Sequence, residues 1–218
     1  MKKKDELPIY YPLFLNIRGR RCVVVGGGQV ARRKVMTLLE HGAKVEVISP
    51  NLCSELGQLA ESGEIDALMR EYRDGDLQGT LITIAATDDR NTNLAVAKEA
   101  RAKAILVNVV DDAESSDFIA PSYIRRGDVT IAISTSGRSP ALARKIRTRL
   151  ERDFGDEYAA LAWLLSEVRT EVKQQGIKVN GDAWQEALDL DLLMNLLREE
   201  GNEKAKELLL SNLKGQQK

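Results

Sequence analysis

With two cysteines, Cys22 and Cys53, and a single histidine, His41, the chain has no basis for a disulfide framework or for a His/Cys metal cluster. Cys22 lies inside an apolar run and reads as a small buried hydrophobe. His41 stands beside Gly42 and reads as a helix-end residue rather than a catalyst or ligand. The formal net charge is −1, so no overall excess of either sign points to nucleic acid. No apolar run is long enough to span a membrane. The Met-Lys-Lys-Lys start resembles the opening of a signal peptide, but "LPIYYPLFLNI" holds two prolines and no small-residue cleavage site. A soluble cytoplasmic protein is expected. There is no internal repeat and no low-complexity linker.

What the chain does have is a run of strand and helix signals. At 218 residues it can bury roughly 70% of its unfolded surface and needs no covalent staple. In "RRCVVVGGGQVARRKVMTLLEHGAKVEVISP", residues 20–50, Cys22 to Val25 show no polar alternation, as expected of a strand covered on both faces. Three glycines follow. From Gln29 the period becomes helical, with Val30, Val35, Leu38 and Leu39 on one side and Gly42 just past the end. Ala43 to Ile48 is a second strand, which completes a βαβ unit.

The same alternation continues. A helix is expected over 52–62, strands at "IDALMREY" and "TLITIAAT", a helix from Asn91 to Lys103, and a strand at "AILVNVV", 104–110. This predicts an α/β class: a Rossmann-like, doubly wound parallel sheet over residues 1–112. "DFIAPSYIRRGDVTIAIST" then reads as two extended runs turning at Gly127, so residues 113–150 form a small two-stranded insert. Ser139 is placed as an N-cap with Pro140 behind it. Residues 151–218 read as a helical C-terminal domain, with turns at Gly176 and Gly181.

Charge is distributed unevenly. Residues 125–152 carry eight Lys/Arg against Asp128 and Glu151, a net +6, whereas residues 153–218 sum to −5. The basic stretch is a candidate anion surface, although a solvated helix face has the same composition.

Gly26-Gly27-Gly28-Gln29-Val30-Ala31 fits G-x-G-x-x-A. Gly26 permits the turn, Gly28 admits a diphosphate to the backbone, and Ala31 allows close helix–strand packing. The anion then meets unpaired N–H groups and the positive end of the helix dipole. The acidic residue that commonly holds the ribose about twenty residues on is missing. Ser49, Pro50 and Asn51 stand there instead, and Glu46 comes too early in the strand. No arginine follows directly to hold a 2′-phosphate, which favours NAD over NADP. Thr87 and Asp88, ending another strand, face the same crevice or cap the next helix.

Three stretches in register, "YPLFLNIRGRRCVVVGGGQVARRKV", "VNVVDDAESSDFIAPS" and "AISTSGRSPALARKIR", resemble the precorrin-2 dehydrogenase/sirohydrochlorin ferrochelatase family, stand-alone relatives of the N-terminal part of siroheme synthase. The resemblance runs from about Tyr11 to Leu150 and implies NAD⁺-dependent oxidation of the tetrapyrrole precorrin-2 to sirohydrochlorin. In many members it also implies insertion of ferrous iron, with no resident metal. It implies a homodimer interlocked through the insert and helical segments. Asp111, ending "NVVD", takes the family's general-base role. Nucleotide contacts carry over onto Gly28, Gln29, Val30 and the Ser49–Asn51 turn. Fused relatives often have paired serines, one of them phosphorylated, where this chain has Ser134, Thr135 and Ser136.

The chemistry is consistent with the residues. Dehydrogenation needs an acceptor for a hydride and another for a proton, and Asp111 at a strand tip suits the second. A simple cap of the following turn by Asp111 or Asp112 is the plainer alternative. A substrate with eight carboxylates suits a cationic site, for which Arg126, Arg138, Arg144 and Ser139 are candidates. Two other classes stay open from the residues alone. One is an NAD-binding regulatory module of the kind attached to ion channels, which would not need the cationic insert. The other is an ordinary small-molecule oxidoreductase, for which no His, Lys or Tyr has an obvious place.

Overall fold

The computed structural model describes residues 9–215, so the lysine-rich start lies outside the described residues. The apolar runs become a five-stranded parallel sheet: β1 (Arg21–Val25), β2 (Lys44–Ile48), β3 (Asp66–Leu68), β4 (Ile82–Ala85) and β5 (Leu106–Val109), in the order β3-β2-β1-β4-β5. Both faces are covered, which is why the central strands lack polar alternation. Cys22, Val24, Val45, Val47, Ile82 and Ile84 face helices α1 (Gln29–Glu40) and α2 (Ser54–Glu61), packing against Ala31, Val35, Leu38 and Leu56. Val23, Val25, Ala85, Val107 and Val109 face α3 (Arg90–Ala102) through Val96, Ala97 and Ala100. The chain therefore changes face between β1 and β4, and the strand tips on either side of that switch border the crevice in which such sheets bind ligands.

The strand expected over "IDALMREY" is shorter than its composition suggests. β3 stops at Leu68 because the chain is then turned by Arg70, whose guanidinium grips the Asp76 carboxylate in two places at 2.8 Å each. The 69–79 segment is tied to α3 by buried Glu99, which accepts hydrogen bonds from the Tyr72 hydroxyl, from Lys103 at 2.7 Å, and from the backbone N–H groups of Gly75 and Leu77. Glu46, read as too early for the ribose, is paired with Arg21 at 2.7 Å. Cys22 is fully buried, and burial pushes its thiol up to about 11. His41 caps the end of α1 and its Nδ1 lies 2.7 Å from the Thr37 carbonyl.

The chain divides into two compact units, the first ending at Ala120 and the second beginning at Pro121. The expected boundary at 112 is thus too early. Residues 113–120 fold back onto β5: the Asp117 N–H bonds to the Val107 carbonyl at 2.8 Å, and the Ser116 hydroxyl accepts from the Val109 N–H at 2.9 Å. In the second unit the two-stranded insert and the helices belong together rather than forming separate domains. β6 (Ser122–Arg126) pairs antiparallel with β7 (Val129–Ile133), and Gly127 turns between them at φ +56°. α4 (Pro140–Asp153) packs on β6, and α5 (Glu157–Gln174) on β7. α5 also joins α6 (Gly181–Ala187), α7 (Leu190–Glu199) and α8 (Asn202–Gly215) around Leu164, Leu193, Leu209 and Leu213. Among the described residues no helix is long and apolar enough to cross a membrane.

Candidate functional site

The three glycines divide the work of one turn. Gly26 adopts φ +123°, a conformation L side chains rarely take, and a Cβ there would overlap the Ala86 carbonyl of the neighbouring strand end. A Cβ at Gly27 would overlap the Asn51 carbonyl oxygen and stand 2.8 Å from Ser49 Oγ. Gly28 is different. It is the N-cap of α1 with ordinary extended angles, and a Cβ would meet nothing within 4 Å. Open space thus lies over the first N–H groups of α1, which have no side-chain cap. Arg32 Nε, one turn into the helix, is buried without a hydrogen-bond partner. Free N–H groups with room above them fit the diphosphate of a dinucleotide.

The other expected contacts take definite places. Gln29 is exposed at the head of α1 and Val30 is half-buried behind it. Ser49 is buried, and its hydroxyl donates to the Asn51 carbonyl at 2.8 Å, so it shapes the turn. Pro50 and Asn51 are exposed at the rim. Thr87 is also engaged in shaping: its hydroxyl bonds to Asn93 Oδ1 at 2.8 Å and to the Asp89 carbonyl at 3.0 Å. The cap of α3 is Asp89, whose carboxylate accepts from the N–H groups of Asn91 and Thr92. Asp88 is not used in this way, and it lines a crevice of about 510 Å³ at the tips of β4 and β5.

Asp111 lines the same crevice, together with Arg90, Asn93 and Ser115. The two adjacent aspartates have different tasks. Asp112 Oδ1 accepts the Ser115 N–H at 3.0 Å, and bonds from Ser115 hold its carboxyl below the usual range. Asp111 sits at φ +60°, a left-handed conformation that few residues other than glycine tolerate and that Asp and Asn tolerate best. That backbone turns its side chain out, where it is exposed. Nearby Lys34 of α1 has its ammonium pulled down by burial and by Arg33, and the Asp111 carboxylate acts against both. The turn is capped by Asp112, which leaves Asp111 available for chemistry.

In the second unit, Ser139 caps α4, accepting the Leu142 N–H at 3.2 Å, and its own N–H donates to Thr135 Oγ1 at 3.0 Å. Arg138 and Arg144 are exposed. Arg126 is committed elsewhere: Nε donates to the Phe154 carbonyl at 3.1 Å and lies 3.4 Å from Asp156. Two residues escaped the reading of the sequence, Gly27 and Glu55. The middle glycine of the fingerprint carries no assigned role, and nothing in the spacing brings α2 back onto α1.

A parallel sheet with an open glycine turn and a crevice at its strand tips defines a dinucleotide-binding protein of the doubly wound class. The chain belongs to the putative NAD(P)-binding family, whose model matches residues 13–122, and the model of the sirohaem biosynthesis protein central region matches residues 126–153. The family's cofactor class is NAD(P), a nicotinamide dinucleotide. Siroheme synthase of Chromobacterium violaceum is 46% identical over 75% of this chain and 35% of its own length. The Nitrosococcus oceani and Photorhabdus laumondii siroheme synthases are each 41% identical, over 82% and 83% of this chain and 39% of their own lengths. The chain thus spans little more than a third of these relatives. A solved structure, SirC, precorrin-2 dehydrogenase, shares the fold with a TM-score of 0.68 over 94% of this chain and all of its own, at 24% identity.

Proposed function

We propose that the chain oxidises precorrin-2 to sirohydrochlorin with NAD⁺, Asp111 accepting the proton. The observation that carries this reading is the division of labour after β5, where Asp112 holds the turn and Asp111 presents an exposed carboxylate to the crevice. NAD⁺, when bound, supplies the acceptor for the hydride. The residues that would hold it are Gly28, Gln29 and Val30 at the glycine turn and Ser49–Asn51 at the rim. Asp88 is placed at the β4 tip beside the crevice. Asp111 must be ionised to take the proton, and the Lys34 ammonium of α1 is a charged neighbour of its carboxylate.

The substrate's carboxylates are matched by Arg138, Arg144 and the N-terminus of α4 with its Ser139 cap, which offer donors in a basic stretch. Arg126 is a weaker candidate, since its guanidinium already serves the α4–α5 junction. Ferrous iron would be a second substrate, and Asp111 the carboxylate to meet it. The reading extends to a cytoplasmic homodimer. It is supported by the family resemblance and by apolar side chains left in solvent on α4, Leu142 at 52% and Ile146 at 36% exposure. Purified protein given precorrin-2 and NAD⁺ should form sirohydrochlorin and NADH in equal amounts. Absence of NADH with authentic substrate rules the activity out, and metal insertion assayed without NAD⁺ tests the chelatase separately.

A further inference from the structure

The ribose of a bound dinucleotide usually meets a carboxylate at the tip of the second strand, and this chain has none there. The β2–α2 connection supplies a different arrangement. It is drawn onto the glycine turn at Gly27, where the Cys53 N–H bonds to the Gly27 carbonyl at 2.8 Å and the Asn51 carbonyl lies directly over the missing Cβ. This brings the first turn of α2 alongside the first turn of α1.

Glu55 is the residue so delivered. Its carboxylate accepts the Gln29 side-chain amide at 3.2 and 3.4 Å and the Ser54 hydroxyl at 2.9 Å, and Arg32 Nε lies 3.5 Å away. Its own backbone N–H, then Ser54 and Gln29, hold the carboxyl below its ordinary range. A fixed negative charge therefore stands beside the residue that follows Gly28.

We infer that Glu55 replaces the absent strand-tip acid and makes the site select NAD over NADP. The inference rests on the cofactor reading of the glycine turn. A carboxylate at this point accepts hydrogen bonds from ribose hydroxyls and repels a 2′-phosphate. The guanidinium that could attract such a phosphate, Arg32, faces the same carboxylate as an ion pair, with Nε 3.5 Å away. Specificity comes as much from the repulsion as from the attraction.

Calorimetric binding of NAD⁺ and NADP⁺ to the full chain tests this without any turnover. Wild type should prefer NAD⁺. Glu55→Gln is nearly isosteric at a partly exposed position, and should weaken NAD⁺ about threefold to tenfold while strengthening NADP⁺ about tenfold. Adding Arg32→Gln should abolish the gain for NADP⁺. A ratio of affinities within about twofold of wild type in Glu55→Gln overturns the inference. Wild type that binds neither dinucleotide removes the cofactor reading, and the inference with it.

Discussion

The sharpest separation of folding from binding lies inside the three glycines, at Gly28→Ala against Gly27→Ala. Gly28 has φ −86° and ψ −173°, angles any residue adopts, and its Cβ would meet no atom within 4 Å. Restricting the unfolded chain stabilises such a replacement by about 0.4–1 kcal/mol. Alanine is a poorer N-cap than glycine by a similar amount, so the two effects offset each other. The melting temperature should stay within about 2 °C of wild type. The new methyl nevertheless stands where the diphosphate must approach. Losing one hydrogen bond to that charge is worth about 1.5–3 kcal/mol, a fall of roughly 10- to 100-fold in NAD⁺ affinity. Gly27→Ala should do the reverse. Its Cβ overlaps the Asn51 carbonyl and must push the β2–α2 connection away, at a cost of about 1–3 kcal/mol and several degrees of melting temperature. Thermal melts paired with calorimetric titration of NAD⁺ read both quantities. Unchanged NAD⁺ affinity in a stable Gly28→Ala protein would refute the seating of the diphosphate.

Other positions give independent checks. Thr83 on β4 is fully buried and its hydroxyl has no hydrogen-bond partner, so Thr83→Val should raise urea stability by about 1 kcal/mol; a loss instead would show that the hydroxyl is satisfied. Burial alone would push the Glu99 carboxyl up, but Lys103, Tyr72 and the N–H groups of Gly75 and Leu77 together hold it below the usual value. Its contribution is therefore full above the unfolded carboxyl value of about 4.3 and is lost as pH falls through the lower folded value. Melts of Glu99→Gln against wild type between neutral and strongly acidic pH should converge at the acid end, and parallel curves would contradict the network. Leu142→Glu with Ile146→Glu should convert a dimer to monomers in sedimentation, whereas a monomeric wild type removes the dimer from the account.

Much of the first unit was legible because its strands are buried on two faces. Continuous apolar runs such as Cys22–Val25 have one reading when glycines and a helical period follow. Asp111 was singled out only through the resemblance, since periodicity left it undistinguished from Asp112. The left-handed backbone that separates their roles depends on Ser115 and Ser116 folding back onto β5. β3 was overread because "IDALMREY" is apolar enough for a strand, while the Arg70–Asp76 clamp that ends it is a contact between side chains. Glu55 was invisible for a similar reason: its partners Gln29 and Arg32 lie more than twenty residues earlier, and only the close approach at Gly27 brings them together. In the second unit, Gly176 and Gly181 announced a break after α5, but the turns at Asp189 and Gly201 were not anticipated, because leucines run through the first at nearly helical spacing and the second lies in a charged stretch of good helix formers.

The central claim concerns the carboxylate at the β5 tip, and Asp111→Asn tests it with least disturbance, because asparagine keeps the left-handed backbone that alanine would strain. With precorrin-2 and saturating NAD⁺, the variant should bind the cofactor as wild type does and form NADH about 10²- to 10⁴-fold more slowly. NADH formation at the wild-type rate would contradict the account.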